Sequence, residues 1–146
     1  MNPIVVGLDP SKSSQAAARW ATTVAVETGV GIVAVHVMPR SQLWTLGALQ
    51  VDAKPIVAKA RSLLDGPWTA SLRQAGVPCK TRFIRGDPAI ELLRVATRLD
   101  AMMLVVGAKS HSAHDLVVGG TVHKIINRST VPVVLVPVAR RRTAGA

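Results

Sequence analysis

Short apolar runs alternate with stretches of helical character along the whole chain, and this alternation constrains the fold more than any other feature. Ile4-Val5-Val6-Gly7-Leu8 is a continuous apolar run, the pattern of a strand buried on both faces. Ser11 to Ser14 then offer helix-capping side chains. Behind them Ala17, Trp20, Ala21 and Val24 follow the i, i+3, i+4, i+7 spacing of a core-facing helical stripe. Gly29 and Gly31 end that helix, and Ile32 to Val37 reads as a second buried strand. Residues 38–53, containing Pro39, Trp44 and Gly47, show no period and read as a long loop. In that reading Trp44 either folds over a ligand or anchors the loop onto the core. A second helical stretch runs from about Ala53 to Ala75, with Gly66-Pro67 inside it. Proline in a helix interior costs roughly 3 kcal/mol or more. Two helical pieces or a sharp kink are therefore expected, with Asp65 or Gly66 capping the second piece and Pro67 in its first turn.

From Cys79 to Ile84 the pattern changes. Lys80 and Arg82 alternate with Thr81 and Phe83, so one face meets water and this third strand belongs at a sheet edge. Gly86-Asp87-Pro88 leads into a helix, with Asp87 as cap, Pro88 at the first helical position and Glu91 near the positive end of the dipole. Ile90, Leu93 and Ala96/Thr97 mark its expected buried face. Met102 to Val106 is a fourth buried strand, and residues 107–120 form a polar, glycine-bearing loop. A helix starting near Thr121 ends before Pro132, and Val133 to Val136 make the fifth strand. The order βαβαβαβαβ, with right-handed crossovers, predicts an α/β open five-stranded parallel sheet with helices on both faces, Rossmann-like in plan. With the third strand at an edge the order is 3-2-1-4-5.

At 146 residues the chain is one domain of ordinary size, read as residues 1–138 with a basic tail over 139–146. Hydrophobic residues are 49% and charged ones 18%, which excludes a disordered tail or a coiled coil. A single cysteine, Cys79, cannot form an internal disulfide or, alone, a structural zinc site. The opening Met-Asn-Pro-Ile-Val-Val lacks the basic start and apolar run of a signal peptide, and no run of about 18 apolar residues occurs. The expected location is the cytoplasm, with no membrane partner. The formal net charge of +10 raises a nucleic-acid reading. Part of it sits in Arg140, Arg141 and Arg142, read as a solvated tail. Single-strand binders add aromatic stacking platforms to a positive groove. Three Trp, one Phe and no Tyr leave little for that.

In open parallel sheets ligands bind beyond the carboxyl ends of the strands, where strand order reverses. Order 3-2-1-4-5 puts the reversal between strands one and four, so Asp9 and Gly107 face each other across the crevice, with Val37 ending strand two. Gly107-Ala108-Lys109-Ser110, followed by Gly120-Thr121 where a helix begins, has the makings of an anion cradle. Glycines let backbone N–H groups approach a phosphate, and the helix start adds unpaired N–H groups and the positive dipole end. The plainer reading is a loop whose Gly120-Thr121 is only a helix cap.

With Ile4 to Asp9, the Ser-rich helix start, Val35-His36-Val37, Gly86-Asp87-Pro88, Val105-Val106-Gly107, Gly120-Thr121 and Val131 to Val136, the chain resembles the universal stress protein family, in its ATP-binding branch. That resemblance implies a fold of the adenine nucleotide alpha hydrolase-like type and binding of ATP or a related adenine nucleotide; separately, Asp9 is an acid placed to hold Mg²⁺ together with the phosphates. The resemblance implies that Asp9 and the Val37 backbone hold the adenine end. Gly107, Lys109 and Ser110 would line the ribose and phosphate path, with Gly120, Thr121 and Val122 on the phosphates. The branch carries Gly, two residues, Gly, nine residues, Gly, then Ser or Thr, and its second glycine is Ser110 here. If that position needs a left-handed backbone, a non-glycine costs about 1–2 kcal/mol. Alternatively the serine hydroxyl donates to a phosphate oxygen. AMP or cyclic AMP could enter the same crevice by its identical adenine end.

Among the remaining candidates, His111, His114 and Asp115 lie in the presumed phosphate loop and read as mobile surface residues. The other reading has Lys109 and protonated His111 adding phosphate-binding charge. His36 reads as a packed strand residue, and His123 and Lys124 as helix surface. No nucleophile elbow and no Gly-x-x-x-x-Gly-Lys-Ser/Thr loop is present, which points to a binding module without catalytic or metal residues. Cys79 reads as structural. The apolar edge Val133 to Val136 invites pairing with a second copy, and family members commonly join in this way. The alternative function is a nucleotide-free stress protein acting through dimerisation and its basic surface on protein or nucleic-acid partners.

Overall fold

In the computed structural model, which describes residues 2–108 and 119–138, Ile4, Val5 and Val6 are completely buried. A continuous apolar run needs cover on both faces, and β1 (Ile4–Gly7) accordingly occupies the centre of a five-stranded sheet. β2 (Ile32–Pro39) and β4 (Met103–Ala108) flank it, while β3 (Cys79–Gly86) and β5 (Val133–Pro137) form the edges. The order is β3-β2-β1-β4-β5 with every pair parallel, as the alternation and the exposed Lys80 and Arg82 predict. Val6 pairs with Ala34 on one side and Val105 on the other, and both flanking strands run on past the end of β1 at Gly7, β2 to Pro39 and β4 to Ala108.

Side chains of β1 alternate between two cores. Ile4 and Val6 join the alanines of α1 (Lys12–Thr28), Leu64 of α3 (Lys54–Asp65) and Leu72 of α4 (Ala70–Gln74). Val5 joins Leu92 and Val95 of α5 (Pro88–Arg98) and Ile125 of α6 (Gly120–Arg128). Helices therefore cover both faces. Among the described residues no helix is long and apolar enough to cross a membrane.

Three local expectations are corrected. In α1 the buried stripe is Ala17, Ala18, Ala21 and Ala25, whereas Val24 is only partly buried and Trp20 is 36% exposed. At its start the helix lies close against the sheet, where a Cβ on Gly107 would stand 2.4 Å from the Ser13 carbonyl carbon. Alanines fill the helix–sheet contact, and Trp20 lies outside the buried face. In α5 the buried set is Ala89, Leu92, Val95 and Ala96, with Leu93 half-buried and Ile90 and Thr97 exposed. Asp87, whose carboxylate accepts from Ile90 N at 3.1 Å, and Pro88 fix where the helix starts. That start rotates the apolar face by one residue from the expected one.

The third correction is residues 38–53, which are not one long loop: Arg40–Ala48 forms the helix α2. It buries no residue, so the apolar period that reveals a helix in sequence is missing. Trp44 on it is 81% exposed and does not anchor anything to the core. The break at Gly66-Pro67 is as expected. α3 stops at Asp65, Pro67–Thr69 makes a 3₁₀ turn, and α4 follows. Gly66 occupies the cap position without a side-chain bond, and the buried Thr69 hydroxyl donates to Leu64 O at 2.7 Å to hold the turn.

Candidate functional site

Because β1 and β4 are neighbours whose chains leave toward opposite edges, their carboxyl ends part and open a cleft of about 650 Å³. Gly7 to Pro10, the end of β2, Gly107 and the first turn of α6 all line it. The topology rules place the ligand crevice there, and Asp9 and Gly107 both line this one cavity.

The first lip is built by local hydrogen bonds. Asp9 N donates to Ser14 Oγ at 2.8 Å, and Ser11 N donates to Asp9 Oδ1 at 2.8 Å. Ser11 Oγ in turn accepts from Ser14 N at 3.2 Å, so the α1 cap and the aspartate are one structure. Leu8 N donates to Val35 O at 2.8 Å, and the His36 ring donates from Nδ1 to Leu8 O at 2.7 Å. A carbonyl only accepts, which assigns the proton to Nδ1. His36 is buried, edge-on to Trp68 at 5.1 Å between ring centres and tilted against Phe83 at 5.7 Å. It is the packed strand residue that the sequence implies, and it also forms part of the cleft wall.

Pairing of β1 with β2 ends at Gly7 and Val35, and backbone groups of a strand repeat their direction every second residue. The Val35 carbonyl points at β1, so the Val37 peptide points the same way, past the end of β1 and into the cleft. That is a donor and acceptor pair at the rim.

On the other lip the glycines have different jobs. Gly107 answers a packing demand, since any Cβ would collide with the Ser13 backbone at 2.4–2.5 Å. Gly119 and Gly120 answer none among the described residues, where a Cβ on either would meet no atom within 4 Å. Gly119 stands at the cap of α6 without a side-chain bond, and the first helical hydrogen bond is His123 N to Gly119 O at 3.0 Å. The amides of Gly120, Thr121 and Val122 precede it, at the positive end of the helix dipole. A cradle kept bare by two glycines at a helix start fits a phosphate. Thr121 is exposed at its edge and Val122 is buried beneath. Lys109, Ser110, His111, His114 and Asp115 lie outside the described residues, as do Arg140, Arg141 and Arg142.

One lining residue escapes a reading of the sequence. Gln42 reaches the cleft from the first turn of α2, which the pattern does not reveal as a helix. Carboxylates elsewhere serve the fold: Glu91 pairs with Arg94 at 2.5 Å, Asp100 accepts from Asn2 at 3.2 Å, and Asp87 caps α5 with Lys124 3.7 Å away. His123, exposed on α6, accepts from the Asn127 amide at 3.0 Å. Among the described residues no group of three His, Cys, Asp or Glu could hold a metal ion. Cys79 is half-buried on β3, and burial pushes its thiol pKa up, against the opposing pull of Arg73.

Comparison with known proteins agrees with this architecture. A universal stress protein from Archaeoglobus fulgidus superposes with a TM-score of 0.75 at 22% identity, over 93% of this chain and 98% of its own. The structure described as that organism's universal stress protein in complex with dAMP gives 0.71 at 22% identity, over 93% and 98%. A universal stress protein in complex with cAMP gives 0.70 at 23% identity, over 94% and 98%. No curated protein matches the chain. The sequence model of the universal stress protein family matches residues 1–137, essentially everything from β1 to the end of β5. By that match, and by a strand order its solved relatives share, the chain belongs to the universal stress protein family.

Proposed function

We propose that the cleft binds ATP or a related adenine nucleotide and that the protein is a regulatory binding module of the stress response. The observation that carries this reading is the bare start of α6 at Gly119 and Gly120, opposite Asp9 and Val37. Relatives of the same fold described in complex with dAMP and cAMP support an adenine ligand. In this reading the Val37 peptide and Asp9 receive the adenine end. Gly107, Lys109 and Ser110 border the ribose and phosphate path, and the amides of Gly120, Thr121 and Val122 take the phosphates. Mg²⁺, when bound, neutralises phosphate charge and is held mainly by the phosphates themselves, given the lack of a carboxylate cluster among the described residues.

The nucleotide acts as a ligand rather than a substrate, in one domain over residues 1–138 with a basic tail, and in the cytoplasm. Two copies pair through the edge strand β5, whose Val133, Val134 and Leu135 are only half-buried. Mass spectrometry of gently purified protein should find a copurified adenine nucleotide, and calorimetry should give stoichiometric ATP binding. No binding at millimolar Mg-ATP would overturn the reading and favour the nucleotide-free alternative. ATP turnover of about 1 s⁻¹ or faster, within the usual enzyme range, would overturn the binding-module part.

A further inference from the structure

The polar side chains of the cleft wall are not equally available. Ser11, Ser13 and Ser14 bond to one another or to the Asp9 lip, and His36 is committed to Leu8 O. Gln42 is different. It is exposed, it lines the cleft, and among the described residues its amide makes no hydrogen bond within the protein. Its position is fixed by the fold: Pro39 ends β2 in extended conformation and is the cap of α2, so the helix turns up at the cleft rim five residues beyond the start of the Val35–Val37 wall. The surrounding base-end wall (Leu8, Pro10, Val37, Pro39, Pro88) offers apolar surface and backbone edges.

Resting on the adenine-nucleotide reading, we propose that Gln42 is a base-specificity residue of this site, its amide oxygen accepting a hydrogen bond from the 6-amino group of the adenine. A primary amide presents an acceptor and a donor side by side, which matches the amino group and the adjoining ring nitrogen of adenine. A 6-amino group carries two hydrogens, so Gln42 can take one while a main-chain carbonyl takes the other. Gln42 therefore selects the base and leaves the phosphate cradle untouched. Thr121, the other exposed polar side chain of the wall among the described residues, sits at the start of α6.

The test compares ATP with purine riboside triphosphate, which lacks the 6-amino group, on the full chain by calorimetry. Inorganic tripolyphosphate serves as a probe of the cradle alone. Gln42→Ala and Gln42→Leu are made, the second keeping apolar bulk without the amide. The expected result is a wild-type preference for ATP that shrinks by about fivefold in both variants, the usual worth of one neutral hydrogen bond. Tripolyphosphate affinity and melting temperature should stay at wild-type values, because α2 buries no residue. ATP binding with an unchanged preference in both variants would overturn the role of Gln42 alone. Failure of the wild type to bind ATP would overturn the nucleotide reading and this assignment with it.

Discussion

Gly107 and Gly120 look alike in the sequence and are opposite in their physics. At Gly107 the α1 backbone leaves no room, with Ser13 O 2.5 Å from any added Cβ. Gly107→Ala should destabilise by about 1–3 kcal/mol as overpacking does, lowering Tm by roughly 3–10 °C for a chain of this size. Gly120→Ala meets no atom within 4 Å among the described residues and should leave Tm nearly unchanged. On the proposed nucleotide reading its methyl intrudes on the phosphates, and ATP affinity should drop roughly tenfold or more, the worth of one amide contact to a charged group. Thermal melts and calorimetry on the two variants separate the structural glycine from the one proposed to face the ligand. Cys79 makes a pH-dependent prediction at the same scale. Burial raises its folded pKa, so the native state holds the thiol proton where the unfolded chain releases it. Its contribution to stability is complete below the unfolded value of about 8.5 and is lost as pH rises through the folded one. Chemical denaturation across that alkaline window should show stability falling in the wild type and a shallower fall in Cys79→Ala. Alkylation of the native thiol should also require higher pH than alkylation of the unfolded chain.

Elements of this fold are positioned by their ends. α5 begins where Asp87 accepts from Ile90 N, with Pro88 behind it, and that start sets which residues face Val5 and Leu104. Asp87→Ala should cost about 1 kcal/mol, the usual loss of an N-cap, while Lys124→Ala should cost almost nothing because its ion pair is exposed and 3.7 Å long. Urea denaturation of both variants checks the difference. The α5 phase and the existence of α2 illustrate how far elements were readable. Ile90, Leu93 and Thr97 fit a helical period as well as Leu92, Val95 and Ala96 do, so the sequence admits two faces one residue apart. α2 carries no buried residue, and a helix without a buried stripe leaves no period to read. Gln42 went unseen for that reason alone.

For the whole molecule, β5 is the edge that can extend the sheet. Leu104 N donates to Pro132 O, so alternate residues of β5 turn their backbone groups toward β4, and those of Val133 and Leu135 face outward. If two copies join there, Leu135→Pro removes an outward donor while sparing the β4 ladder. Sedimentation at micromolar concentration should give a dimer for the wild type and a largely monomeric Leu135→Pro with near wild-type secondary structure. A monomeric wild type would refute the pairing. The opposite edge, β3, carries exposed Lys80 and Arg82 and is protected by them from the same fate.

Strand order, the edge position of β3, the break at Gly66-Pro67 and the meeting of Asp9 with Gly107 were all determined by sequence. Each follows from local chemistry joined to chain topology: buried runs, one amphipathic strand, a missing amide, and right-handed crossovers. The full buried faces of α1 and α5 (beyond Ala17, Ala21 and Ala96, which the periodicity places correctly), that Gly107 serves α1 before any ligand, and that Gln42 stands at the cleft were decided only by tertiary structure. These depend on how closely two elements approach and where a helix starts, distances of one ångström or one residue that no periodicity along the chain encodes.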